Sequence, residues 1–150
     1  MDAVTYPKEE VIRFIEEHLI PLRVAWNAEP LATDFNVKWT PSLITLDVEG
    51  KEHHRTVGFL APEELIPSLL LGIAKTHFDQ ERHEEALSTL KEILGTYSKS
   101  GSALEAIYLQ GVCRYKTTHN PKPLKEAYER LKAQYPDSEW TKRAHPYSLL

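Results

Sequence analysis

The sequence predicts an α/β plus α fold, in which a small sheet with helices is continued by paired antiparallel helices. Three observations indicate this class. Strand-like segments occur only before residue 60, helical segments fill the chain from about residue 62 onward, and a weak repeat with an offset of 37 to 38 residues runs through the helical half. The expected sheet has about three strands, and four or five helices follow it.

The length and charge of the chain limit the classes of protein to be considered. Its 150 residues suffice for one domain, or for two small ones that share a core. The net charge is -4 and the basic residues are scattered, so no basic patch points to nucleic acid or to an anionic membrane. The most apolar stretch, residues 65–74, is too short to span a bilayer, and residues 1–7 lack the pattern of a secretory signal. The sequence therefore predicts a cytoplasmic protein with no nucleic-acid or membrane partner.

The first element is predicted to be a helix that begins at Pro7 and ends before Pro21. Proline suits the first turn of a helix, and Glu9 and Glu10 lie near the positive end of the helix dipole. Apolar residues at roughly helical spacing support this prediction, namely Val11, Ile12, Phe14, Ile15 and Leu19. Residues 22–26 are then predicted to form a short strand, and residues 31–35 one or two helical turns.

Two further strands are predicted to form a β-hairpin. Residues 42–47 alternate between apolar and polar side chains, Glu49-Gly50 marks a tight turn, and residues 52–59 return along the first strand. Together with residues 22–26, the hairpin accounts for the three strands of the expected sheet.

The helical half is predicted to contain paired helices. The segments are about 62–77, 83–98, 102–117 and 122–134, with a short fifth at 138–144. In the repeat, residues 97–100 align with 135–138, while Ala74 and Phe78 align with Gly111 and Tyr115. A small residue followed four positions later by an aromatic one lets two helices approach closely, which is typical of paired-helix repeats.

Residues 1–76 have an order of elements that resembles a thioredoxin-fold domain. The resemblance depends on the helix, strand and hairpin described above and on the motifs at residues 37–41, 47–52 and 55–59. It implies a cis peptide bond at Pro41 and an extended peptide bound by the backbone around Trp39, Thr40 and Pro41. The alternative is a loop that only turns the chain, with Trp39 filling the core.

The chain departs from the thioredoxin fold in its cysteines. Thioredoxin-fold enzymes carry Cys-x-x-Cys, whereas the only cysteine here is Cys113, in a predicted helix of the other half, where a buried structural role is expected. The resemblance places the dithiol, and a central strand that presents it, before Met1. Three arrangements remain open: the protein starts further upstream, the remaining strands pair directly, or a second copy fills the gap in a homodimer.

Residues 69–147 resemble tetratricopeptide-type repeats, on the motifs at residues 85–87, 106–111 and 135–140. Only two copies are visible, so the helices are expected to pack on the first unit and share its core. The resemblance implies a protein partner held in a groove, with Tyr108, Arg114 and Tyr115 as candidate groove residues. The chain is accordingly divided into a thioredoxin-like unit, 1–76, and a helical unit, 77–150.

The histidines are not expected to form a metal site. Neighbouring residues in a strand point to opposite faces, so His53 and His54 cannot share a metal ion, and with Arg55 they are predicted to form a solvated strand edge. His77 and His83 are predicted to flank a charged turn between two helices.

The sequence as a whole favours a non-catalytic protein-binding or scaffolding protein with a protein or peptide partner. It contains no phosphate loop, no nucleophile motif and no calcium loop, so no catalytic residue and no cofactor are predicted. The alternative is a thiol-disulfide oxidoreductase whose Cys-x-x-Cys lies upstream of Met1.

Overall fold

A computed structural model describes the whole chain, residues 1–150. Two short helices and a two-stranded antiparallel sheet come first. Five more α-helices and a final 3-10 helix follow. In chain order the elements are α1 (Glu9–His18), α2 (Leu31–Asp34), β1 (Ser42–Leu46), β2 (Glu52–Val57), α3 (Pro62–Asp79), α4 (His83–Thr96), α5 (Ser102–Thr118), α6 (Lys122–Gln134), α7 (Glu139–Ala144) and the 3-10 helix (His145–Leu149).

Helix α1 begins two residues later than predicted and packs against α3. The residues before it form a turn, in which the Thr5 hydroxyl donates a hydrogen bond to the carbonyl of Leu60 at 2.6 Å. Val11 is completely buried and Phe14 nearly so. Burying side chains of this size stabilises a fold by roughly 1.5–3 kcal/mol each, which is enough to hold so short a helix in place.

Residues 22–26 do not form the predicted strand. The segment has no regular secondary structure, and the sheet consists of β1 and β2 alone. Leu22 is 79 % exposed and Trp26 is 70 % exposed, so the alternation of apolar residues does not correspond to a buried face. A strand requires backbone hydrogen bonds to a neighbouring strand, and none lies beside this segment. The prediction of three strands is wrong in this respect, and a thioredoxin-like sheet is not confirmed.

The predicted hairpin is confirmed, with an irregularity near its turn. Thr45 on β1 pairs with His54 on β2, but the next pair joins Leu46 to Glu52. His53 is therefore an extra residue on β2, and the hairpin contains a β-bulge at this point. A bulge bends its strand and changes the directions of the side chains beside it.

One face of the hairpin packs on α3. Thr45 lies against Gly72, where a Cβ atom would approach the Thr45 Cβ to 3.0 Å, so the absence of a side chain permits this contact. Further along, the hydroxyl oxygens of Thr56 and Ser68 lie 2.9 Å apart. The peptide bond between Thr40 and Pro41, just before β1, is cis, as the resemblance implied.

The helices of the second half are confirmed, with ends that differ from the predictions by about two residues. Consecutive helices from α3 to α6 pack on one another, and a buried core runs between them. Leu65, Leu90 and Ile93 are fully buried in this core, as is Cys113. A second, smaller cluster beneath α7 contains Ile107, Leu131 and Ala144, among others.

The main core joins the two units into which the sequence was divided. Its 13 buried residues include Val11 and Phe14 from α1 as well as residues from α3, α4 and α5. Helix α3 itself runs from Pro62 to Asp79 and so passes through the boundary between residues 76 and 77. The helices of the second half thus share a core with the first, as the sequence led us to expect.

Candidate functional site

The loop before β1, residues 39–41, lies at the surface. Trp39 is 69 % exposed and Thr40 is exposed, whereas Pro41 is half-buried. Two hydrogen bonds fix the loop to the hairpin: the Ser42 hydroxyl donates to the Trp39 carbonyl at 2.6 Å, and the Gly58 amide donates to the Pro41 carbonyl at 2.8 Å. The alternative role for Trp39, filling the core, is therefore wrong.

Trp39 lines a shallow cleft of about 290 Å³. Its other walls are Trp26, Val37, Lys38 and Thr40. Two exposed indole rings supply apolar surface, and the ammonium group of Lys38 supplies a positive charge beside it. Such a combination suits a peptide that carries apolar side chains and an acidic group. We call these five residues the tryptophan cleft.

The sequence pointed to only part of this cleft. The sequence marks Trp39 and Thr40 as candidate residues and places Trp26 in a strand. Trp26 lies near Trp39 only because of the path that residues 27–38 take. No spacing rule connects two tryptophans across an irregular loop. The structure therefore adds Trp26, Val37 and Lys38 to the site, and Pro41 is not among the residues that line it.

The three candidate groove residues of α5 do not lie in one surface. The Tyr108 ring packs against Trp140 and Tyr147, with centroid distances of 5.3 and 5.8 Å, and its hydroxyl lies 3.0 Å from that of Tyr147. Burial, and then the hydrogen bond with Tyr108, raise the pKa of Tyr147 to about 12. Tyr115 is half-buried beside His119. Tyr108 thus serves to dock the C-terminal segment.

Arg114 points to a different place, a crevice between α5 and α6. The crevice has a volume of about 150 Å³ and is lined by Ile107, Gln110, Gly111, Arg114, Pro123, Glu126, Ala127 and Arg130. Neither Arg114 nor Arg130 has a carboxylate within salt-bridge distance, whereas Glu126 lies 3.7 Å from Lys122. Successive residues of a helix are turned by about 100°, which is why Arg114 and Tyr115 face different sides of α5.

The prediction of a solvated edge at residues 53–55 is wrong for His53. Its side chain is only 1 % exposed and lies between two carboxylates. Nδ1 is 2.7 Å from Asp79 at the end of α3, and Nε2 is 2.9 Å from Asp47 in the hairpin turn. The bulge explains the error, because an extra residue in β2 breaks the alternation of faces on which the prediction depended.

The environment of His53 sets its charge. Burial is the largest influence and lowers the pKa of His53, but the hydrogen bonds and charges of Asp47 and Asp79 together exceed it and place the pKa above the ordinary 6.5. The hydrogen bond with His53, followed by the one from the Lys51 amide, lowers the pKa of Asp47 below its ordinary 3.8. The two carboxylates therefore favour the protonated form of His53.

His54 lies in a different electrostatic environment although it is the next residue. Its Nδ1 accepts from Lys75 Nζ at 3.4 Å, and Lys75 in turn pairs with Glu105 of α5 at 2.7 Å. Burial and the charge of Lys75 lower the pKa of His54. Arg55 instead binds Glu52 and the carbonyl of Phe35.

His77 and His83 flank the turn between α3 and α4. The Nδ1 atoms of His77 and His83 are buried and have no hydrogen-bond partner. No group of three or more histidine, cysteine or acidic side chains in the structure could hold a metal ion. Burial, aided by Arg82, lowers the pKa of His77, which favours the neutral form of that ring.

Cys113 is completely buried in the main core. Burial raises the pKa of its thiol to about 12, so the reactive thiolate form is scarce at neutral pH. The structural role predicted for Cys113 agrees with this environment.

The second half consists of stacked pairs of helices, in which α3 packs on α4, α4 on α5 and α5 on α6. Residues 68–100 and 105–138 match the family model of the tetratricopeptide repeat, so tetratricopeptide repeats are present within residues 68–138. The first copy contains most of α3 and all of α4, and the second contains most of α5 and all of α6. Comparisons with curated proteins and with solved structures give no match.

None of the helices combines the length and the apolar composition that crossing a membrane requires.

Proposed function

We propose that this chain is a non-catalytic protein-binding or scaffolding protein. The observation that carries the proposal is the pair of tetratricopeptide repeats at residues 68–138, since repeats of this kind are interaction surfaces. The burial of Cys113 also supports it, because the one thiol of the chain is inaccessible to a disulfide substrate.

The tryptophan cleft is the proposed contact for an extended peptide. Exposed aromatic rings are costly to leave in water, and tryptophan is among the residues that contribute most to binding energy. Trp26 and Trp39 are each about 70 % exposed, and Lys38 adds a charge that favours an acidic group nearby. The partner we propose is therefore a peptide segment with apolar side chains and at least one carboxylate.

A displayed library of random peptides tests this site. We expect peptides selected on the wild-type chain to be rich in apolar and acidic residues, and to bind the Trp26→Ala/Trp39→Ala variant at least about tenfold more weakly. Val48→Ala is the matched control, since Val48 is 95 % exposed but lies in the hairpin turn outside the cleft. Failure to select any peptide, or equal affinity for the double variant, would contradict the proposed site.

We also propose that residues 1–76 and 77–150 are two units of different origin, the first related to the thioredoxin fold. The order of α1, α2, the Pro41 loop, the hairpin and α3 supports this relation. The third strand would then come from pairing with another chain, and a homodimer is the proposed arrangement. The exposed apolar side chains of residues 20–26 support it.

A further inference from the structure

We propose that His53 is a pH-dependent clasp, which holds the β1–β2 hairpin against α3 while both ring nitrogens carry protons and loosens it when one proton leaves to solvent. The clasp consists of His53, Asp47 and Asp79. It joins the hairpin to the C-terminal end of α3. His53 and Asp79, which make this contact, are 26 residues apart in the chain.

The atoms of the clasp require a charged imidazole. A histidine with both nitrogens protonated can donate to two carboxylates at once, and the structure places Asp79 and Asp47 at 2.7 and 2.9 Å from the two ring nitrogens. A neutral imidazole has one N–H group and one lone pair. One of the two carboxylates would then face a lone pair, and that contact becomes repulsive. The lone pair is accommodated more easily at Asp79, whose side chain is 39 % exposed, than at Asp47, whose side chain is 8 % exposed.

Asp47 is fixed in position before it meets the histidine. Its Oδ1 accepts hydrogen bonds from the amides of Glu49 and Lys51, at 3.1 and 2.8 Å, while its Oδ2 faces His53. Since Asp47 and His53 both belong to the hairpin and Asp47 is held by these bonds, we expect loss of the His53 proton to weaken the contact with Asp79, which joins the hairpin to α3.

No other charge on the packed elements replaces this contact. The one lysine or arginine of α3 is Lys75, which pairs with Glu105 at 2.7 Å and with His54 at 3.4 Å. Apart from the hydrogen bond of Lys75 with His54, the polar and close contacts between the hairpin and α3 are uncharged, such as those of Thr45 with Gly72 and of Thr56 with Ser68. Of the two ion pairs in the clasp, His53–Asp47 lies within the hairpin, and His53–Asp79 is the one ion pair between carboxylate and base that joins β2 to α3.

The direction of the pH effect follows from the pKa of His53, which lies above 6.5. The stabilisation is complete below the pKa of histidine in the unfolded chain and is lost as the pH rises through the pKa in the folded chain. On the acid side the pKa of Asp47 lies below 3.8, so its contribution is lost only as the pH falls through that lower value. The hairpin should therefore be most firmly docked in mildly acidic solution.

Nuclear magnetic resonance of the full chain tests the clasp. We expect the His53 ring to titrate with a midpoint above 6.5 and above that of His54, whose pKa is lowered. Between about pH 6 and about pH 9, hydrogen-exchange protection of the hairpin amides should fall about tenfold relative to amides of α4. In His53→Gln this fall should vanish, whereas the control His54→Gln should keep it.

Asp79→Asn provides a second measurement on a variant that keeps the histidine. Removing one of the two carboxylate charges should lower the His53 midpoint, because less negative charge remains to favour the protonated ring. A His53 midpoint at or below 6.5 in the wild-type chain, or an unchanged midpoint in Asp79→Asn, overturns the proposal. The proposal is also overturned if raising the pH reduces hydrogen-exchange protection of the hairpin amides as much in His53→Gln as in the wild-type chain. If His53→Gln does not fold, the midpoint of the His53 titration in the wild-type chain still tests the clasp.

Discussion

Two glycines in the helical half occupy opposite surroundings, although both lie inside helices. A Cβ atom at Gly111 would lie 2.7 Å from the Ala127 Cβ and 2.9 Å from the Pro123 carbonyl oxygen. At Gly95 a Cβ atom would meet nothing within 4 Å. Gly111 is therefore a point of close approach between α5 and α6, and its place in the repeat, aligned with Ala74 in the first copy, agrees with that packing.

Replacing these glycines by alanine should have opposite effects on stability. For Gly111→Ala we expect a net loss in the free energy of unfolding, because overpacking costs about 1–3 kcal/mol and the gain in helix propensity is about 1 kcal/mol at most. Gly95→Ala should instead gain about 0.5–1 kcal/mol, since only the propensity term remains. Urea unfolding of both variants measures the difference, and stabilisation by Gly111→Ala would show that the helices are not in close contact there.

At the scale of elements, the hairpin and residues 22–26 show that a strand needs a hydrogen-bonded neighbour. Both segments have strand-like sequences, yet only β1 and β2 form a sheet, because each supplies the hydrogen-bond partners of the other. Residues 20–26 keep apolar side chains in water, with Ile20 at 98 % and Leu22 at 79 % exposure. An unpaired segment of this kind is a natural site for pairing with another chain.

The proposed homodimer gives this segment a measurable role. Light scattering at micromolar concentration should give about twice the monomer mass of 17.2 kDa. Leu22→Asp/Val24→Asp should give the monomer mass, because burying two carboxylates at an interface is strongly unfavourable. Leu149→Asp, at an equally exposed apolar residue of the C-terminus, should leave the dimer intact. A monodisperse wild-type monomer would contradict the homodimer.

At the scale of the whole molecule, the shared core decides whether the two units can exist separately. Seven of the 13 buried residues of the main core come before residue 77, and six come after it. The tetratricopeptide repeats number only two, fewer than the three that a free-standing stack ordinarily requires. The hairpin and α1 thus take the place of a neighbouring repeat on α3.

Truncation tests this dependence. A fragment of residues 77–150 should show little helical circular dichroism and no cooperative melting, since it lacks over half of the core residues. The matched fragment 62–150 keeps all of α3 and should retain helical structure with a cooperative, though lower, melting transition. If the fragment 77–150 melts cooperatively near the temperature of the full chain, the shared core does not determine stability.

The sequence by itself determined the elements of local origin. The helices of the second half, the repeat and the hairpin could be predicted because periodicity, turns and proline positions act within a few residues of the chain. The burial of Cys113 was predictable for the same reason. Trp39 and Thr40 were also identified in advance as part of the candidate site.

Only the tertiary structure decided the features that depend on distant partners. It left residues 22–26 without a strand to pair with, brought Trp26 beside Trp39, and separated Arg114 from Tyr108. It also placed His53 between two acids, because a bulge in β2 overrode the alternation of faces. Pairing, burial and the charge of an ionisable group depend on which chain segments meet in space, and local patterns do not contain that information.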